Sequence, residues 1–300
     1  MTSLSGKIGF VGIGAMGTPM AANLVKANHK LMIYDVNPER TNALAATHEV
    51  EVARSLAEIG ASCTTVITML PDGKAVREVL CGHDDDFGES VAAALDPGAL
   101  VIDMSSSSPI GTRELGAILE ARGVRLIDAP VSNGVRGAIA GTLAIMVGGD
   151  HTIFEQCRPL FEKLGNQIFY AGPLGAGHAI KALNNYVNAA GLVATCEAVI
   201  AGQRFGLDPN VIVDILNASS GMNNTTKNKV KQFMLSGAFN AGFTTGLMAK
   251  DVRTALEVAA AMGGSTRMAR HTADMWNDTE HSLGAASDHT AMFKFLEKSA

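Results

Sequence analysis

Lys181, Asn185 and Asn188 are spaced by four and then three residues in an otherwise apolar, alanine-rich stretch. On a helix those spacings put the three side chains on one stripe. A lysine and two asparagines on a helix that otherwise reads as buried need polar company, because an unpaired buried charge is very costly. Such a stripe faces either solvent or a substrate cleft. In the second case a lysine can act as general acid and base, since desolvation lowers an ammonium pKa from its free value of about 10.4. Lys181 is therefore the sharpest candidate for proton transfer.

A second chemical signal lies near the start of the chain. The apolar run Ile8-Gly-Phe-Val11 leads into Gly12-Ile13-Gly14-Ala15-Met16-Gly17 and then a helix-forming stretch. Gly12 permits the tight turn, Gly14 lets the backbone approach a pyrophosphate, and Gly17 lets the helix pack on the strand. The helix N-terminus then offers N–H donors and the positive end of its dipole. Asp35 ends the next strand-like run, about twenty residues beyond the glycines, where a carboxylate accepts from the adenosine ribose hydroxyls. It would repel a 2′-phosphate, which points to NAD over NADP, with Arg40 close enough to weaken the distinction.

Three further groups sit where strand-like runs end. They are Met69-Leu70-Pro71, Asp103-Met-Ser105-Ser106, and Asp128-Ala-Pro-Val-Ser132-Asn133-Gly134. In an open α/β sheet the carboxyl ends of the strands line the ligand crevice. Ser105 and Ser106 suit hydrogen bonds to ribose or the nicotinamide amide, and equally the capping of a proline-started helix. Ser132 with the Asn133 and Gly134 amides forms either a carboxylate cradle or an ordinary turn. Lys250-Asp251 reads by itself as a charged pair in a helix.

These groups need elements to hold them. Ile8–Val11, Leu31–Tyr34, Thr65–Met69, Leu100–Asp103 and Arg125–Ala129 are short, aliphatic and bounded by turn residues, as buried parallel strands are. Helical patterns such as Pro38–Ala46, Gly73–Leu80 and Gly111–Arg122 alternate with them. Thr142–Val147 and Gln167–Ala171 read as further strands. The pattern predicts an α/β doubly wound (Rossmann) parallel sheet over residues 1–172. Strand signals then stop. One long helical pattern, Gly175–Phe205, is followed by Pro209–Ala218, Lys227–Leu235, Gly246–Met262 and Asp288–Lys298. Residues 173–300 are thus expected to form an all-α domain for substrate binding and oligomerisation, joined to the sheet by the long helix.

Composition narrows the function. The chain has 300 residues, 47% hydrophobic and 18% charged, with a net charge of −5 and no basic cluster, so nucleic acid is not an expected partner. Cys63, Cys81, Cys157 and Cys196 are widely spaced and the histidines follow no metal-binding pattern. Reduced thiols in a cytoplasmic protein without metal are the expectation. Ile8–Val11 is too short for a signal-peptide core, and the apolar stretch from Tyr186 to Ala201 is shorter than a bilayer span.

Taken together, five blocks resemble the β-hydroxyacid dehydrogenase family, whose members include 3-hydroxyisobutyrate dehydrogenase and tartronate semialdehyde reductase. The blocks are Gly9–Leu24, Met69–Pro71, Asp128–Gly134, Gly175–Asn185 and Lys250-Asp251, in that order over nearly the whole chain. The resemblance implies reversible hydride transfer between NAD and the carbinol of a small 3-hydroxy carboxylate. It implies Lys181 as the catalytic lysine and Asn185 as its substrate-anchoring partner. Ser132, Asn133 and Gly134 match the carboxylate-binding turn, and Leu70, Pro71, Ser106 and Lys250 match cofactor contacts. Asp35-Val36-Asn37 is similar to NAD-using members, NADP being the lesser choice. Family members form dimers or tetramers. Asn133 departs from the usual glycine, although asparagine tolerates a left-handed backbone, and its side chain would bear on the choice of acid. Tartronate semialdehyde, threonate and serine fit the same cradle. The rival readings are an imine reductase, which usually lacks the lysine, and a non-catalytic NAD sensor. A 6-phosphogluconate dehydrogenase would need a longer helical domain.

Overall fold

The aliphatic runs of the first half pair side by side in the structure, a computed structural model that describes residues 6–299. β1 (Ile8–Val11), β2 (Leu31–Tyr34), β3 (Glu51–Val52), β4 (Thr65–Thr68), β5 (Leu100–Asp103) and β6 (Arg125–Asp128) lie in the order 3-2-1-4-5-6, all parallel. This is the doubly wound order, and it reverses between β1 and β4, where such folds open a ligand crevice. Beyond β6 the sheet changes character. β7 (Val131–Ser132) and β8 (Leu143–Gly148) are antiparallel to each other, β8 is antiparallel to β6, and β9 (Gly165–Gly172) runs parallel to β8. Aliphatic content alone does not report strand direction, so this mixed edge was not foreseen.

Alternation along the strands supplies two cores. Phe10, Ile33, Ile67, Ile102 and Ile127 enter one, with Met20, Leu24, Phe154 and Phe161 from the helices Gly17–Lys26 and His151–Phe161. Val11, Met32, Val66, Val101 and Leu126 enter the other, with Ile59, Val76, Leu80, Leu115 and Leu119 from Leu56–Ser62, Gly73–Cys81 and Pro109–Glu120. The helices start where the sequence offers acceptors. Asn37, Ser55, Asp72 and Asp150 each accept a first-turn N–H, which relieves donors that a helix cannot satisfy itself.

The chain divides into two compact units, Met1–Lys181 and Ala182–Ala300. The helix Ala176–Phe205 contributes its first residues to one and the rest to the other. The second unit is helical: Pro209–Ala218, Asn224–Asn228, Thr245–Ala261, Arg267–Leu283 and Met292–Ser299 surround a core containing Trp276, Val199, Val252 and Met292. Two of its features differ from the sequence expectation. The continuous helix expected over Lys227–Leu235 is broken at Lys229 (φ −130°), and Val230–Leu235 form a π-helical turn. Arg267–Leu283 was not anticipated. Its buried stripe is Ala269, Thr272, Ala273, Trp276 and Thr279, nearly free of the aliphatic residues that mark a helical period. No helix among the described residues is long and apolar enough to cross a membrane.

The second unit buries His289. Its Nδ1 donates to the Phe243 carbonyl at 3.0 Å and lies 3.6 Å from Asp288. Burial pushes its pKa down to about 4, with the Lys229 cation adding to the effect. The folded state thus resists a proton that the unfolded chain takes up near pH 6.5, so stability falls as pH drops from 6.5 towards 4. The melting temperature should decline across that window, and His289→Asn should flatten the decline. Calorimetry at pH 7 and pH 4.5 measures both.

Candidate active site

The glycine turn after β1 is built as the spacing requires. Gly12 has φ +101°, and a Cβ there would collide with the Met69 carbonyl beyond β4. A Cβ on Gly17 would strike the Gly12 carbonyl, so the helix can sit this close to the strand end only with glycine. At Gly14 a Cβ would meet nothing nearer than Arg40 Nη1 at 4.0 Å. The glycine leaves this stretch of backbone open. The helix Gly17–Lys26 begins without a side-chain cap, so its first turn suits an anion. A cavity of about 490 Å³ lies against it, lined by Ile13, Gly14, Ala15, Thr18, Arg40 and Val135 among others. Open backbone, uncapped helix start and adjoining cavity fit a dinucleotide pyrophosphate.

Asp35 is tied to this turn. Its Oδ2 accepts from the Ile13 N–H at 2.7 Å, its Oδ1 accepts from the Asn37 N–H at 2.8 Å, and Arg40 Nη1 stands 3.5 Å away. Arg40 therefore lies between the strand-end acid and the open face at Gly14. At the next strand end the Leu70 N–H donates to Ser105 Oγ at 2.9 Å. Ser105 is thereby a latch between the loops after β4 and β5. Pro71 is exposed and Ser106 half-buried beside them.

The turn after β7 carries Ser132. Asn133 adopts the left-handed conformation (φ +84°, ψ 5°), which asparagine tolerates better than other non-glycine residues. Its Nδ2 donates to the Thr142 carbonyl at 3.0 Å, so the extra amide pins the turn to the start of β8. Gly134 has φ +57° and opens the short helix Gly134–Ala140. Lys181 Nζ donates to Ser132 Oγ at 3.0 Å. The two strongest candidates from separate sequence blocks thus meet.

What brings Lys181 there is the seating of its helix. Gly175 has φ +87°, and a Cβ there would stand 2.8 Å from the Pro109 carbonyl. A Cβ on Gly177 would collide with the Met146 carbonyl of β8. Asp128, fully buried at the end of β6, accepts from the Gly175 N–H at 2.7 Å and from the His178 N–H at 2.7 Å. Sequence reasoning gave Asp128 no role. An acid closing a buried strand, with a Gly-x-Gly opening a distant helix, was the available signal.

In the second unit Asn185 Nδ2 donates to Asp251 Oδ2 at 2.6 Å, and Lys250 Nζ lies 3.3 Å from Asp251 Oδ1. Asp251 therefore holds two expected site residues. Asn188 Oδ1 accepts from Asn224 Nδ2 at 2.9 Å and from Lys229 Nζ at 3.2 Å. Lys229 is buried, and desolvation brings its pKa down to about 8. It was not foreseen, because only the break before the π turn directs it inward. Among the described residues no group of three or more His, Cys, Asp or Glu could hold a metal.

Comparison with known proteins gives the family. Residues 7–172 match the family described as the NAD binding domain of 6-phosphogluconate dehydrogenase, and residues 175–296 match the NAD-binding family of NADP-dependent 3-hydroxyisobutyrate dehydrogenase. The chain is 39% identical to the NAD-dependent L-serine dehydrogenase of Pseudomonas aeruginosa, over 87% of this chain and 88% of the relative. It is 34% identical to the 2-hydroxy-3-oxopropionate reductase of Escherichia coli, over 97% of each. Its fold superposes on the Mycobacterium tuberculosis 3-hydroxyisobutyrate dehydrogenase with L-serine at a TM-score of 0.88 and 36% identity, covering 98% of this chain and 99% of that one. With a glycine turn fit for the dinucleotide, a lysine seated on the Ser132 turn, and relatives aligned over most of their length, the chain belongs to the β-hydroxyacid dehydrogenase family.

Proposed function

We propose that this protein is an NAD-dependent 3-hydroxyacid dehydrogenase acting on small 3-hydroxy carboxylates of the 3-hydroxyisobutyrate type. The observation that carries the reading is the Lys181 ammonium 3.0 Å from Ser132 Oγ. A substrate carboxylate bound at the Ser132, Asn133 and Gly134 turn would set its carbinol within reach of that nitrogen. Bound NAD supplies the hydride acceptor. In the oxidative direction Lys181, as the neutral amine, takes the hydroxyl proton. In reverse its ammonium protonates the developing alkoxide. The family resemblance gives Asn185, fastened by Asp251, the substrate-anchoring role, and gives Leu70, Pro71, Ser106 and Lys250 the role of cofactor contacts. Gly12, Ile13, Gly14, Ala15, Met16 and Gly17 would hold the NAD pyrophosphate. Asp35 favours NAD, although Arg40 at 3.5 Å is a ready partner for a 2′-phosphate. Residues 1–172 form the cofactor domain in this reading, and residues 173–300 the substrate and oligomerisation domain.

Two wider features accompany the assignment. In the second unit Val187 is 67% exposed and Phe205 85%, with Leu207, Val211 and Ile215 also exposed. Exposed apolar side chains of this size suit an association surface, in keeping with a homodimer or homotetramer. All four cysteines are free and buried. Burial pushes the Cys63 and Cys81 thiols up to about 11 and Cys157 to about 12, which keeps them inert. That suits the reducing cytoplasm.

Lys181→Ala should lower kcat by roughly 10²–10⁴-fold while leaving NADH affinity, read by fluorescence titration, nearly unchanged. Near-normal turnover would remove Lys181 from the mechanism. Steady-state rates over 3-hydroxyisobutyrate, L-serine, glycerate and threonate should rank the first highest, and no NADH formation on any of them would favour a non-catalytic NAD sensor. Asp35→Ala frees Arg40 and should shift the NAD-to-NADP ratio of kcat/KM towards NADP by about tenfold, or about 1.4 kcal/mol. Light scattering should give an even multiple of the monomer mass, and Val187→Glu should lower it.

A further inference from the structure

We propose that His178 is a positioning residue whose ring carries both protons, and that this cation, set between the carboxylates of Asp103 and Asp128, locks the first turn of the long helix to the ends of β5 and β6 so that Lys181 is held at Ser132. The inference rests on the dehydrogenase reading for its consequence in turnover, but not for the state of the ring.

The protonation follows from counting donors. His178 is fully buried. Its Nδ1 lies 2.8 Å from Thr112 Oγ1. A threonine hydroxyl has one proton to give, and that of Thr112 is directed to the Ser108 carbonyl at 2.9 Å. The same carbonyl accepts the Thr112 N–H at 2.8 Å; with the hydroxyl proton also directed there, Nδ1 is left to donate to Thr112. Nε2 lies 3.2 Å from the Ser105 carbonyl, which can only accept. In that arrangement both ring nitrogens are donors, which neutral imidazole cannot provide, and a carboxylate beside each nitrogen favours it over the neutral ring that would accept from Thr112.

The surroundings supply the compensating charge. Nε2 is 3.6 Å from Asp103 Oδ2, and Nδ1 is 3.7 Å from Asp128 Oδ2. Asp103 and Asp128 are register partners on adjacent parallel strands. Two carboxylates buried side by side repel one another, and a cation between them offsets that repulsion. Each also receives neutral donors. Asp103 accepts from Thr68 Oγ1 at 2.9 Å, the Ser105 N–H at 3.0 Å and Ser107 Oγ at 2.7 Å, while Asp128 takes the Gly175 and His178 N–H groups. Arg113, from the helix that carries Thr112, donates to the Leu174 carbonyl at 3.0 Å and is the neighbouring cation on that side.

The consequence reaches both ends of the site. Ser105, which takes the Nε2 proton on its carbonyl, holds the Leu70 N–H on its hydroxyl. Lys181 follows His178 by three residues on the same side of the helix. One buried ring thus links the loops after β4 and β5 to the start of the helix that carries the lysine.

The test is nitrogen-15 NMR of the full-length protein labelled at histidine. One histidine, assigned by its loss in His178→Gln, should show two protonated ring nitrogens at pH 7. A single N–H, the signature of a neutral tautomer, would overturn the proposal whatever the enzyme's activity. His178→Gln should lower kcat by about 10–100-fold, as expected for a displaced proton donor, and should weaken NADH binding by less than that, since the ring also steadies Ser105 and through it Leu70. Should that variant not fold, Thr112→Val removes the acceptor for Nδ1 and should lower kcat about tenfold at unchanged NADH affinity. A kcat within twofold of the parent in the folded variant would refute the positioning role. Failure of the NMR result and failure of Lys181→Ala are separable, because the first involves no turnover.

Discussion

The Asp128 carboxylate is the fastening point of the first unit. A helix leaves its first-turn N–H groups without internal partners, and Asp128 takes two of those that open the long helix, from Gly175 and His178. Because Asp128 ends a central strand and is fully buried, the helix start inherits the rigidity of the sheet. The direction of the helix, and so the reach of Lys181 to Ser132, follows from that anchor. Gly175 and Gly177 are the price of the close approach, since a Cβ on either would run into the Pro109 or Met146 carbonyl.

The cofactor end uses the same device in reverse. There the helix start lacks a side-chain cap, and a strand-end acid, Asp35, orients the turn through the Ile13 N–H instead of occupying the helix end. One strand-end carboxylate seats a helix, and another shapes a turn that leaves a helix end open to an anion. Both are aspartates at the carboxyl edge of a parallel sheet, the edge on which ligands of this fold gather.

The second unit treats its polar stripe differently. Asn185 and Lys250 share Asp251, while Asn188 accepts from Asn224 and Lys229. A buried amide costs little once its bonds are made, so these stripe residues are accommodated beside the apolar core. The break that turns Lys229 inward leads into a π turn, a feature often associated with functional sites.

Much of this was legible in the chain itself. The strand runs, the glycine turn and the long helix follow from periodicity and glycine spacing, because each is a local pattern of side-chain type. Asparagine at 133 tolerates a left-handed backbone in place of the usual glycine, and it adopts one. The antiparallel return of β8, the helix Arg267–Leu283 and the inward Lys229 were not legible, since strand direction, a stripe of small residues and a π turn leave no strong periodic mark. Nor did the sequence say that Ser105 latches the loop at Leu70, or that Asp103, Asp128 and His178 converge. Their partners lie 35 to 75 or so residues away along the chain and meet only when parallel strands lie in register. The sequence by itself determined which chemical groups exist and which short elements carry them; tertiary structure alone decided their protonation, their partners and their reach, because those depend on distances that only packing sets.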